Sequence, residues 1–148
     1  MQTFLPYVSF RKSAVVLDNK RLGKQRVEAY QILKILLKLR DHPKAKPAWR
    51  NHPAVLMWKN WEPALCVYGA DMCHEWARRG YEDNLEWYFI EAWLIRFKGQ
   101  SATIPTWLTP KLTRSHRSNL LRKHPNHYRR YWPKLRDDLP YHWPIKLK

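Results

Sequence analysis

Residues 16–33, VLDNKRLGKQRVEAYQIL, mix cations with apolar side chains at a helical period. Leu17, Leu22, Val27, Tyr30, Ile32 and Leu33 carry the apolar pattern, with Leu22 and Tyr30 eight apart and Val27 and Tyr30 three apart. Lys20, Arg21, Lys24, Arg26 and, one residue beyond, Lys34 stand between them. The spacing predicts a helix that buries one face and leaves a basic one in solvent. A bare cationic helix face suits a polyanion.

The neighbouring segments predict partners for that helix. MQTFLPYV is short, apolar and extended, and Pro6 blocks an early helix. Ser13 is a candidate N-cap for a helix through Val15, Val16 and Leu17. Gly23 costs a helix about 1 kcal/mol relative to Ala, so two outcomes stand: one helix from 14 to 40, or a break near 18–23 with Asp18 as a second cap. Residues 42–53 form a loop with three prolines, followed by a short helix or turn at 53–60. Pro63 opens a helix to Arg79, closed by Gly80, with a core stripe of Leu65, Tyr68, Met72 and Trp76. A third helix over 84–98 ends at Gly99, its stripe being Trp87, Ile90, Trp93, Leu94 and Phe97. After a loop from 100, residues 114–122 read as a short helix capped by Thr113 or Ser115, and Pro125 opens another turn. The tail DDLPYHWPIKLK is too proline-rich for a helix and is expected to wrap back over the core. The expected class is therefore all-α: one domain over 1–148, about three main helices plus short ones, with an extended start and a Pro-rich end.

Charge narrows the function. The chain holds 28 Lys and Arg against 12 Asp and Glu, a formal +16, and such an excess implies an anionic partner. Seven of the twelve acids lie between Glu62 and Glu91, while residues 11–40 hold nine cations and two acids and residues 109–148 hold eleven and two. Both ends are thus expected on one polyanion-binding face, with the central helices behind it. Nucleic acid leads; an anionic membrane surface or an acidic protein comes second. Most of the nine Trp and eight Tyr are expected in the core. There is no apolar run long enough to span a bilayer and no signal-peptide pattern at MQTFLPY. Cys66 and Cys73 are two turns apart on one predicted helix, too far for a disulfide, and read as buried thiols in a reducing, cytoplasmic setting.

Some chemistries lack their signatures. No His, Cys or acid pair has metal-ligand spacing, and His124 and His127 flank a proline with no carboxylate following. No nucleophile-triad motif, Gly-rich phosphate loop or zinc finger occurs. Two polar clusters remain. Trp49–Pro53 packs a cation, an amide and an imidazole into one turn, as either a capping turn or a site. Arg114–Asn119 is either an exposed helix start or a phosphate clamp.

Three stretches carry a resemblance: LDNKRLGKQRVEAYQIL (17–33), RNHPAVLMWKNWEPALCVYGADMCHEWARRGY (50–81) and HRSNLLRKHPNHYRRYW (116–132). Together they resemble the pyrimidine-dimer DNA glycosylase family of the small phage endonuclease V type. The likeness is strongest to a bacterial and phage subgroup that begins MQTFLPY and ends near DDLPYxWP. The resemblance implies an all-helical monomer that binds double-stranded DNA, kinks it and flips a nucleotide out, with no cofactor, metal or membrane. In active members the amino-terminal α-amine attacks the sugar C1′, a Schiff base forms, and β-elimination cuts the strand. An α-amine, ordinarily with a pKa of about 7.7–8.0, keeps some neutral form at pH 7, unlike a free Lys. An Arg–Glu pair on the first helix holds the phosphate and manages protons.

Carried over by position, the nucleophile is Met1, because Gln2 is too large for ordinary removal of the methionine; active members expose a Thr. The Arg–Glu pair falls on Lys24–Gln25, with Glu28 or Asp18 as the nearest carboxylate under another register. The resemblance places Lys20, Arg21, Lys24, Arg26, Arg50, Arg114, Arg117, Arg122 and Lys123 on phosphates. His52 and His116 line the site, and Tyr128, Tyr131 or Trp132 flank the DNA. Three readings follow: a DNA N-glycosylase, possessing or lacking lyase activity; a catalytically inactive duplex-binding protein of the same fold; and a basic RNA- or protein-binding domain.

Overall fold

A computed structural model describes residues 1–145, and the chain is all-helical, with no strand among them. Helix α1 (Phe10–Val16) starts at Ser9, whose hydroxyl accepts the Lys12 N–H at 3.1 Å. Ser13, expected as the cap, instead sits buried inside α1, where its hydroxyl both accepts the Tyr7 N–H and donates to the Tyr7 carbonyl. Leu17 and Asp18 turn extended before α2 (Asn19–Asp41), so the chain breaks there rather than forming one long helix. Asp18 holds the N-cap position without capping, because tertiary partners take its carboxylate: Tyr128 at 2.5 Å and Arg21 at 3.3 Å.

Helix α3 (Pro53–Leu56) follows the proline loop, and α4 (Glu62–Arg78) is the central element, packed against α1, α2 and α5 (Glu86–Glu91). Leu65, Tyr68 and Met72 are fully buried, as their stripe predicts, whereas Trp76, its fourth member, is half-buried at the edge of the core. Two glycines set the helix spacing. A Cβ on Gly23 would come within 2.8 Å of the Trp76 ring, and one on Gly69 within 2.3 Å of Phe89. The intrinsic helix cost of Gly23 therefore accompanies a close α2–α4 approach.

The third helix departs from the predicted 84–98 stripe. Helix α5 spans six residues and opens into a π-turn over Ala92–Arg96; Phe89 and Phe97 are buried while Trp87 and Leu94 are exposed. EWYFIEAWLIRF is apolar all round, so periodicity alone does not select its buried face, and the wider i→i+5 turn moves later side chains off a 3.6-residue stripe. Val27, placed on the apolar face of α2, is likewise exposed.

Helix α6 (Pro110–Lys123) begins four residues before the predicted start, with Pro110 in its first turn and Thr109 Oγ1 accepting the Leu112 N–H. Thr113 and Ser115, the expected caps, donate instead to carbonyls one turn back. A short α7 (Pro125–Tyr128) follows. The tail wraps back as expected: the Leu139 N–H donates to Ser118 Oγ at 3.0 Å and the His142 N–H to Ser115 Oγ at 3.2 Å. The last three tail residues lie outside the described ones. Cys66 and Cys73 are free and buried, and burial pushes the Cys66 thiol up to about 12.

Candidate active site and nucleic-acid interface

The extended start lies along α2, and backbone amides dictate the register. The Gln2 N–H donates to Glu28 Oε2 at 2.5 Å, and the Phe4 N–H to Gln25 Oε1 at 2.9 Å. Gln25 also accepts the Tyr68 hydroxyl at 2.7 Å and is 1% exposed, so its amide oxygen is engaged inside the fold. Glu28 also pairs with the Lys24 ammonium at 3.7 Å, and the side chain of Lys24 is 70% exposed.

His52 joins this group from the start of α3. Its Nδ1 accepts the Ala54 N–H at 3.0 Å, which assigns the proton of the neutral ring to Nε2. Burial and then the positive amino terminus lower its pKa from the usual 6.5, while Glu28 pulls the other way. Met1, Glu28 and His52 are thus within electrostatic reach of one another. Among the catalytic candidates, Gln25 is the most deeply committed to the fold, while His52 caps α3 through Nδ1 and Glu28 holds the residue-2 N–H.

The tail contributes residues that sequence reasoning passed over. Tyr141 faces Glu28 and the Gln2 side chain; burial, then the Glu28 charge, raise the pKa of its phenol. Its ring stacks on His116 at 4.7 Å and 20°, and Trp143 stands edge-on to His52 at 5.9 Å. His116 itself is 1% exposed. Its Nδ1 accepts the Leu5 N–H at 2.9 Å, its Nε2 has no partner, and burial pushes its pKa down to about 3. It braces the amino-terminal segment rather than offering a charge to DNA.

The two basic ends do meet. Tyr128 donates to Asp18 and accepts its N–H at 3.0 Å, His127 Nε2 lies 2.8 Å from the Val16 carbonyl, and Arg117 donates to the Pro6 carbonyl at 2.9 Å. Between these ends opens a cleft of about 560 Å³ whose walls include Lys20, Arg79, His124, His127, Arg130 and Tyr131. Lys20, Lys24 and Glu28 follow at i, i+4 spacing, so one strip of α2, roughly 12 Å long, links this cleft to the carboxylate.

The other expected phosphate contacts divide. Lys24, Arg114, Arg122 and Lys123 are exposed, with Arg122 also donating to the Leu139 carbonyl at 3.2 Å. Arg50 is half-buried and donates to the Pro47 carbonyl at 3.3 Å. Arg21 pairs with Asp18. Arg26 does not reach the surface: it pairs with Asp83 at 2.6 Å, under the Trp76 ring. Tyr128 is fully buried and stacks flat on Trp132 at 5.5 Å and 4°, leaving Tyr131 as the exposed aromatic of that turn. Arg130 was not foreseen, since only the folded chain brings the α7 turn beside Lys20; Arg79, also in that wall, pairs with Glu75 at 3.1 Å and donates to Asn19 Oδ1 and the Ala14 and Val15 carbonyls.

No group of three or more potential metal ligands occurs among the described residues, and none of their helices is long and apolar enough to cross a membrane. A family model described as pyrimidine dimer DNA glycosylase matches residues 1–89, which include Met1, Lys20, Glu28 and His52. No curated protein and no solved structure matches the chain. With that match over more than half of its length, the chain belongs to the pyrimidine dimer DNA glycosylase family.

Proposed function

We propose that the protein is a DNA N-glycosylase with AP lyase activity, acting on a damaged or modified pyrimidine flipped out of double-stranded DNA. The carrying observation is the 2.5 Å contact between Glu28 and the N–H of residue 2, which sets a carboxylate beside the amino terminus. The Met1 amine attacks C1′, the C1′–N bond breaks and the base leaves with a proton. Loss of a proton from the attached nitrogen, with opening of the sugar ring, gives the Schiff base. Removal of a C2′ proton then breaks the C3′–O bond by β-elimination. Glu28 is the group at hand to relay these protons, and His52 is a second. The Lys20 cleft and the cations of α6 grip the backbone, a sequence-independent contact that weakens steeply with salt.

A second reading, duplex binding without chemistry, has one observation in its favour: the nitrogen that Glu28 holds is the amide of residue 2, with Met1 one residue beyond. Borohydride trapping separates the two. Native protein whose mass confirms a free Met1 is incubated with duplexes carrying an abasic site, a pyrimidine dimer or modified pyrimidines. A covalent adduct mapping to Met1 is expected. No adduct on any duplex, despite tight binding, rejects the enzymatic reading. Gln2→Thr, which permits removal of Met1, then asks whether a free amine at residue 2 restores trapping.

A further inference from the structure

The outer face of α5 and its π-turn has no part in the chemistry above. Phe89 and Ala92 bury the inner face, and Tyr88 meets Tyr30 edge-on at 4.7 Å. Outside stand Trp87 at 65% exposure, Leu94 at 48% and Ile95 at 65%, with Ile90 half-buried beside them. Single apolar side chains left in water are ordinary, but several large ones gathered on one face of one short element mark an interaction site.

The π-turn aligns them. On a regular α-helix Ile95, eight positions after Trp87, would be rotated from it by about 80°. The i→i+5 turn over Ala92–Arg96 rotates less per residue and takes back part of that angle, so Leu94 and Ile95 straddle the direction of Trp87. Glu91 and Lys98 bracket this pair. Both are exposed, and among the described residues neither has an ion-pair partner.

Charge selects the partner. Residues 62–91 hold seven acids and two cations, while the rest of the chain holds five acids and 26 cations. Two copies therefore repel through most of their surface and can approach where α5 lies. We infer that this face pairs with the same face of a second copy, across a two-fold axis between Leu94 and Ile95. Antiparallel pairing then sets Leu94 of each copy against Ile95 of the other, and Glu91 of each against Lys98 of the other, because both pairs share one midpoint in the sequence. Trp87, at the outer end of the stripe, is a large ring of the kind that anchors protein interfaces. None of these residues lines the Lys20 cleft, so each copy brings a cleft of its own. The pairing departs from the monomer that the resemblance implies and does not depend on the chemistry at Met1.

The test is sedimentation velocity of the full, DNA-free chain at physiological salt. The native protein is expected to pass from monomer to dimer over roughly 1–100 μM. Trp87→Asp combined with Ile95→Asp stays monomeric throughout; both positions are exposed, so the melting temperature is unchanged and certifies the fold. Glu91→Lys sets cation against cation and raises the midpoint concentration by about tenfold or more, and adding Lys98→Glu returns it to within about threefold of the native value. A native protein that is monomeric across the whole range overturns the inference and leaves this face to a different protein. A dimer undiminished in Trp87→Asp/Ile95→Asp overturns it as well. A Glu91→Lys/Lys98→Glu variant that does not regain association overturns the two-fold register.

Discussion

Glu28→Gln isolates the proton-relay role of the carboxylate from its structural one. Glutamine keeps the shape and still accepts the residue-2 N–H, so only the charge is lost. The charge-assisted bond at 2.5 Å becomes a neutral one, and the 3.7 Å Lys24 pair, largely in water, disappears. Together these cost about 1 kcal/mol, or roughly 2–4 °C in melting temperature for a chain of this size. General acid–base catalysis is worth about 10²–10⁴-fold, so single-turnover cleavage of an abasic duplex should fall by that factor while duplex binding stays nearly constant. The companion variant Gln25→Glu runs the opposite way. It sets a carboxyl group, 1% exposed, where it still accepts from the Phe4 N–H and the Tyr68 hydroxyl, with no cation in contact. It should lose stability and gain no cleavage. Cleavage by Glu28→Gln at the native rate, or a rate increase in Gln25→Glu, would refute the assignment of Glu28.

Other perturbations probe the frame that holds this site. His116, pushed to about 3 from 6.5, stays neutral in the fold while the unfolded chain takes up a proton; its stability contribution is full above pH 6.5 and is lost as the pH falls toward 3. Between pH 6.5 and 4.5 this amounts to about 2–3 kcal/mol, so urea unfolding at the two pH values should show a drop larger by that amount in the native protein than in His116→Gln. Tyr128→Phe leaves the buried Asp18 N–H without its acceptor and the carboxylate without its donor; it should cost about 2–4 kcal/mol in denaturant unfolding and weaken duplex binding by loosening the Lys20 cleft. Gly69→Ala forces a methyl into the Phe89 ring and should cost about 1–3 kcal/mol by thermal melting, whereas Gly80→Ala, at a φ of +94° with open space around it, tests backbone strain alone.

What could be read from the chain follows the range of the interactions involved. The stripe on α4 and the breaks at Pro and Gly depend on neighbours within a few residues, so Leu65, Tyr68 and Met72 were legible as core. The exposed Trp87 was not, because its segment is apolar on every face and only packing against Gly69 selects Phe89. The caps were misplaced by a few residues for the same reason: Ser13 and Ser115 are valid cap chemistries, but Tyr7 and the tail amide of His142 claim them. Likewise Arg26 reads as a free cation in sequence and is bound by Asp83, 57 positions away.

The choice between Gln25 and Glu28 has the same origin, and it decides where the chemistry sits. On α2 the two residues are three apart, roughly 4.5 Å along the axis, whereas two residues of extended chain cover roughly 6.6 Å. An extended start running alongside the helix can therefore bring residue 4 to position 25 and residue 2 to position 28 at once, as it does. Buried side chains lock that register from outside α2: Trp58 Nε1 donates to Thr3 Oγ1 at 3.1 Å, the Tyr68 hydroxyl shares its one proton between Gln25 Oε1 and the Phe4 carbonyl at 2.9 Å, and the Leu5 N–H donates to His116. A shift by one residue would part Thr3, Phe4 and Leu5, all buried, from these hydrogen-bond partners, and each polar group so orphaned costs about 1–3 kcal/mol. Glu28 thus meets the amino terminus because the buried polar groups of Thr3, Phe4 and Leu5 are paired in this register, and the site inherits its geometry from three residues that themselves carry no charge.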